Sequence, residues 1–135
     1  MAITGTQTTT APRTTLTLEQ QRAEDAWRCA TACHQSHRKE YENLAKNLPA
    51  LIMNSGLLQV LAFLQEKRGT HEVLAGQLRR WIAQRFPDLG ASGFAPLMQA
   101  LMKADSPTFQ AVTTEAMAWL RWLRQIAPAV PAGTN

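Results

Sequence analysis

Ala23, Trp27, Ala30, His34, His37, Tyr41, Leu44 and Leu48 follow one another at alternating intervals of four and three residues. That rhythm keeps side chains on one face of an α-helix for about seven turns, whereas a strand would need a period of two. The later apolar residues keep helical time as well. Leu74, Leu78, Trp81, Ile82 and Phe86 mark one face, and Phe109, Val112, Ala116, Trp119, Leu120, Leu123 and Ile126 mark another. No alternating run long enough for a strand occurs, so the fold class is all-α, a single-domain bundle of about five helices. A length of 135 residues suits one such domain with a modest core.

Punctuation residues place the boundaries. Thr17 offers an N-cap oxygen, Gln20 stands at the capping-box position and Glu19 in the first turn, so a long helix is expected from there to Leu48. Pro49 suits the first turn of a second helix, and Gly69 suits a left-handed stop after Lys67. The apolar residues of Pro49–Lys67 cover more than one face, which predicts a central position in the bundle. Gly56 within it costs about 1 kcal/mol relative to Ala and calls for a neighbouring helix crossing close against it. A third helix begins at Thr70, a turn covers Pro87 to Gly93, a shorter helix spans Phe94 to Lys103, and the last runs to about Ala127 with Ser106 as N-cap and Pro107 at its first position. Residues 1–16 are expected to be a disordered leader, with seven threonines among the first fifteen positions, 17–127 the helical domain and 128–135 a loose tail.

Composition narrows the setting. No apolar run approaches the roughly 18 residues of a membrane span, and the N-terminus lacks the apolar core of a secretory signal, so a cytoplasmic protein without a membrane partner is expected. Two cysteines, Cys29 and Cys33, are too few for a disulfide framework. The net charge of +4 is unevenly spread: up to Glu66 six basic residues meet six acidic ones, and from Lys67 onward eight meet four. A basic surface on a small domain attracts polyanions, RNA or DNA first among them, although scattered Lys and Arg also serve solubility.

Few constellations could carry catalysis. Cys29, Cys33 and His37 recur every four residues with His34 beside them, the sharpest metal hypothesis, yet no second cluster supplies ligands from another element. Buried packing is the better reading of these residues. Glu40 and Glu42 point to different sides of a helix, Ser55-Gly56 lacks a strand-turn-helix context, and no phosphate-cradling Gly loop exists. Neither an enzyme nor a cofactor, metal or small-molecule substrate is expected.

A family resemblance rests on Gln21-Arg22-Ala23, Pro49 with Leu51-Ile52, Asn54-Ser55-Gly56-Leu57 to Gln59, Leu61-Ala62-Phe63-Leu64 with Lys67, the stretch Leu78 to Ile82, and Thr114-Glu115-Ala116 leading to Trp119-Leu120-Arg121-Trp122-Leu123. In that order and spacing, over about Gln20 to Ala127, the chain resembles the small subunit of the type III-B CRISPR RNA-targeting (Cmr) complex. Ser55 departs from the pattern by separating Asn54 from Gly56, and the Thr-rich leader is extra. The resemblance implies a non-catalytic helical subunit of a ribonucleoprotein for antiviral defence, stacking with copies of itself along other Cmr subunits and facing the duplex of CRISPR RNA and target RNA. Cations on one face can follow phosphates without reading bases, since selection is delegated to guide pairing. The residues assigned to RNA contact are Lys46, Lys67, Arg68, Arg79, Arg80, Arg121 and Arg124. The alternative is a protein-interaction adaptor that never meets RNA, with exposed Trp122, Met117 and the histidine stripe as anchors. A helix-turn-helix reader of DNA fits poorly, because the loop between the third and fourth elements is too long.

Overall fold

A computed structural model describes residues 16–131. The leader, apart from Leu16, and the last four residues of the tail lie outside the described residues. Six α-helices and two short 3-10 turns make up the fold, with no strand among the described residues: α1 Leu18–Ala32, α2 Arg38–Ser55, α3 Leu57–Lys67, α4 Thr70–Arg85, α5 Phe94–Lys103 and α6 Ser106–Ile126. The all-α class holds, with one helix more than expected.

The extra helix arises because the first stripe is cut. Cys33 and His34 adopt extended backbone, and Gln35–His37 form a 3-10 turn whose entry is capped by His34 Nδ1, which accepts the Ser36 N–H at 3.1 Å. Side chains that bond the local backbone compete with the helix, and here they win over an unbroken apolar period. The cut also turns α1 by about one residue relative to the expected stripe. Asp25, Ala26, Cys29 and Ala30 are buried, whereas Trp27, expected inside, is 52% exposed.

The second boundary moves seven residues along the chain. Pro49 lies inside α2, buried beside Leu48 and Ile52, and the helix continues to Ser55. A proline there removes one backbone hydrogen bond, but its ring joins the apolar face. The break falls at Gly56, whose φ of 86° and ψ of 159° belong to a region essentially reserved for glycine. Gly56 is thus a joint and not a helix-interior residue. A Cβ there would meet nothing within 4 Å, so no helix crosses close against it.

Other caps follow elementary rules. Thr17 and Gln20 form the reciprocal capping box, at 2.8 and 3.1 Å. At α6 the cap is Asp105, accepting from the Thr108 N–H at 2.8 Å, so Ser106, expected as the cap, instead opens the first turn together with Pro107. Hydrogen bonding from the Thr108 side chain first, and from its backbone N–H second, lowers the Asp105 pKa.

The helices α2 and α4 occupy the middle, each packing against α3 on one side and α6 on the other; α6 also carries α1, and α3 carries α5. The expected central segment is therefore divided between α2 and the more peripheral α3, on which Phe63 reaches the surface. Trp119, Tyr41, Leu48, Leu61, Leu64, Leu78, Ile82 and Leu120 are completely enclosed. Each large apolar side chain buried in this way contributes about 1.5–3 kcal/mol. Past α6 the chain stays against the domain as far as Val130, which is buried.

Candidate nucleic-acid interface

The cations divide into two populations. One meets two buried carboxylates, with the Arg80 and Arg28 side chains themselves 42% and 63% exposed. Asp25 of α1, 1% exposed, accepts a two-pronged pair of bonds from Arg80 of α4 at 3.0 and 3.1 Å, one from Trp119 Nε1 of α6 at 2.8 Å and one from Arg28 at 3.1 Å. Glu115 of α6, 4% exposed, accepts two bonds from Arg22 of α1 at 2.7 Å and one from Trp81 Nε1 of α4 at 2.9 Å, with Arg85 3.6 Å away. Each carboxylate thus draws a bidentate arginine and an indole from the other two helices, tying α1, α4 and α6 together. Bidentate charge-assisted bonds of this kind fix geometry as well as charge. Burial raises the Glu115 pKa, but the bonds from Arg22 and Trp81 outweigh it and leave the group below its ordinary value.

Arg38 performs a similar task on backbone. Its guanidinium donates to the Ala30 carbonyl at 2.6 Å, to that of Val130 at 2.8 Å and to that of Ala127, while Nε pairs with Glu42 at 3.0 Å. The carbonyl ends of α1 and α6 are thereby satisfied by one cation, where the helix dipole favours positive charge.

The second population is at the surface. Lys46 is exposed on α2, Lys67 ends α3 with Nζ 5.7 Å from the Phe63 ring centre, Arg68 is exposed between α3 and α4, and Arg121 and Arg124 are exposed on α6. Among the described residues these five, with Arg79, Lys39 and Lys103, have no acidic group within 4 Å. Arg79 is half-buried and leans on Ser92 O at 3.1 Å and Gln65 Oε1 at 3.4 Å. Arg121 lines a groove of about 330 Å³ with Glu19, Arg22, Trp122 and Gln125. Of the seven residues assigned to RNA contact, Arg80 is the one bound to a buried acid; the Arg121–Arg124 pair is on α6 and the Lys67–Arg68 pair at the end of α3.

The cysteines and histidines of the first stripe are not gathered. Cys29 Sγ lies 3.1 Å from Arg80 and 3.7 Å from Asp25, Cys33 Sγ faces the His34 carbonyl at 3.5 Å, and the cut after Cys33 removes the common helical register. Burial first, then Asp25, pushes the Cys29 thiol up to about 12, and burial raises Cys33. No group of three or more His, Cys, Asp or Glu placed to hold a metal exists among the described residues. Met117, expected as an exposed anchor, is 7% exposed and belongs to the core, and Trp122 is half-buried.

Sequence reasoning missed both carboxylate clamps. One signal was present: Glu115 shares the apolar register of Val112 and Trp119, at three and four residues' distance. Nothing comparable marked Arg38.

Residues 18–130 match the family model described as CRISPR-associated protein (Cas_Cmr5). The CRISPR system Cmr subunit Cmr5 of Thermus thermophilus is 29% identical over 94 residues, covering 69% of this chain and 76% of that protein. The crystal structure of a CRISPR-associated Cmr5 family protein from the same organism superposes with a TM-score of 0.69 at 30% identity, covering 84% of this chain and 97% of that one.

Proposed function

From the premise that this chain belongs to the Cas_Cmr5 family of CRISPR-associated proteins, we propose that it is a non-catalytic small subunit of a type III-B CRISPR (Cmr) ribonucleoprotein that holds RNA by phosphate contacts. Its partners are CRISPR RNA and target RNA, the other Cmr subunits and further copies of itself, and its place is the cytoplasm. The observation that carries the RNA part is a division among the cations: Arg22 and Arg80 are held by the buried Glu115 and Asp25, whereas Lys46, Lys67, Arg68, Arg79, Arg121 and Arg124 have no acidic group within 4 Å among the described residues. Such cations gain affinity by counterion release and discriminate little between sequences.

The test is RNA binding by the full chain across a salt series. Arg121→Ala with Arg124→Ala is expected to weaken binding to unrelated RNA sequences alike and to flatten the slope of log affinity against log salt by up to about two. An unchanged slope would remove this pair from the interface.

The adaptor reading keeps one supporting observation. Trp27, Met53, Val73 and Met102 are each more than half exposed, and aromatic and Met side chains concentrate at protein contacts. Complex assembly that persists in the Arg121/Arg124 double variant while RNA binding by the isolated chain is absent from the start would favour it.

A further inference from the structure

The indoles of α4 and α6 meet different fates. Trp81 and Trp119 are buried and donate Nε1 to Glu115 and Asp25, at 2.9 and 2.8 Å. Trp122, three residues past Trp119, is half-buried, and its Nε1 has no such partner among the described residues. Its ring helps to wall the groove of about 330 Å³ between α1 and α6, with Glu19 and Arg22 on one side and Ala118, Arg121 and Gln125 on the other. Pockets that hold small ligands run from about 300 to 1,000 Å³. The α6 residues recur at intervals of three and four, which places them on one helix face, and the small Ala118 keeps the floor of the groove low.

The polar groups around the indole have capacity left. Arg22 gives Nε and Nη2 to Glu115, and Arg121 is exposed with no acid within 4 Å among the described residues. The exposed Gln125 amide offers a donor and an acceptor, and the exposed Glu19 carboxylate offers an acceptor. Charge is one-sided along α6: after Glu115 the sequence contains no acidic residue, while Arg121 and Arg124 stand exposed three positions apart. Glu19 is the one acid in the wall.

These features fit one kind of occupant better than others. A peptide carboxylate would engage the arginines and leave the indole idle, and an apolar side chain would cover the indole and leave Arg121 and Gln125 idle. A nucleotide uses the whole set, because its base presents a π-face to an aromatic ring or guanidinium, its edge carries donors and acceptors, and its phosphates are anionic. A base inside a duplex has both faces covered by its neighbours, so the groove can take only an unpaired one.

We propose that the α1–α6 groove takes the base of one unpaired RNA nucleotide, stacked on Trp122, with the adjoining phosphates held by Arg121 and Arg124. The inference rests on the RNA reading above and deepens it, since phosphate contact alone needs no unpaired base.

The experiment compares three probes on the full chain: a short single-stranded RNA, an abasic ribose-phosphate chain of the same length and a blunt RNA duplex. Trp122→Ala is expected to weaken the single-stranded RNA about tenfold, the loss of one stacked base. The slope against log salt should not change, because no phosphate contact is removed. Affinity for the abasic chain and for the duplex should stay at the wild-type value. Trp122→Phe should keep most of the affinity, and Trp27→Ala, at a more exposed indole outside the groove, should alter nothing. NMR of the wild-type chain needs no variant to fold: single-stranded RNA should move the Trp122 indole N–H signal and leave that of buried Trp119 in place. A Trp122 signal that RNA leaves unmoved, or an equal loss on the abasic chain in Trp122→Ala, overturns this inference and leaves the phosphate reading standing. A Trp122 signal that moves with protein concentration and not with RNA assigns the groove to protein contact and overturns it as well. A wild-type chain that binds none of the three probes at low salt overturns the RNA reading and this inference together.

Discussion

Asp25 and Glu115 show how a buried charge can become a fold determinant. Removing water from a carboxylate is expensive, and the penalty is met only when the partners are pre-positioned. Here each acid has a bidentate arginine and an indole N–H, so breaking one clamp strands the rest. Arg80→Ala is accordingly expected to destabilise the domain by about 3 kcal/mol, read from urea unfolding, whereas Arg121→Ala, exposed and without an acidic partner, should stay within about 0.5 kcal/mol. Equal effects of the two would mean that the Asp25 clamp contributes nothing. The same contrast sets Arg80 apart from the other candidates for RNA contact: an arginine on a helix beside another shows no sign of the acid that meets it, 55 positions away, until folding brings the two together.

At the scale of elements, helical identity was legible and the joints were not. The periods over 74–86 and 109–126 predicted the inner faces of α4 and α6 because repeated burial imposes them. Pro49 read as a start and Gly56 as an interior residue, yet the roles are reversed, because a buried proline can be absorbed by a helix while a φ of 86° cannot be held cheaply by other residues. Gly56→Ala should therefore cost about 1–3 kcal/mol despite the empty space around it. Arg68 presents the opposite case. Replacing it by glycine relieves its backbone strain, and Arg68→Gly should raise stability by about 1 kcal/mol. A thermal melt of the two variants checks both signs, and stabilisation by Gly56→Ala would refute the joint.

The whole molecule couples its stability to pH through the Glu115 clamp. The folded-state pKa of Glu115 is lowered, so its contribution is fully present above the unfolded carboxylate value and disappears as pH falls through the folded one. Stability should thus decline below about pH 4.3, and Glu115→Gln, less stable at neutrality, should show a shallower decline; identical acid limbs in the two proteins would exclude this group. By itself the sequence determined the helical class, the single domain, most of the inward faces and the capping box at Thr17, because these follow from local periods and from bonds within one turn. Only the tertiary structure decided which carbonyls Arg38 would satisfy and which arginines would meet a buried acid. Those outcomes depend on partners such as Arg22 and Glu115, 93 residues apart, whose meeting is set by packing and leaves no mark in any local window of the chain.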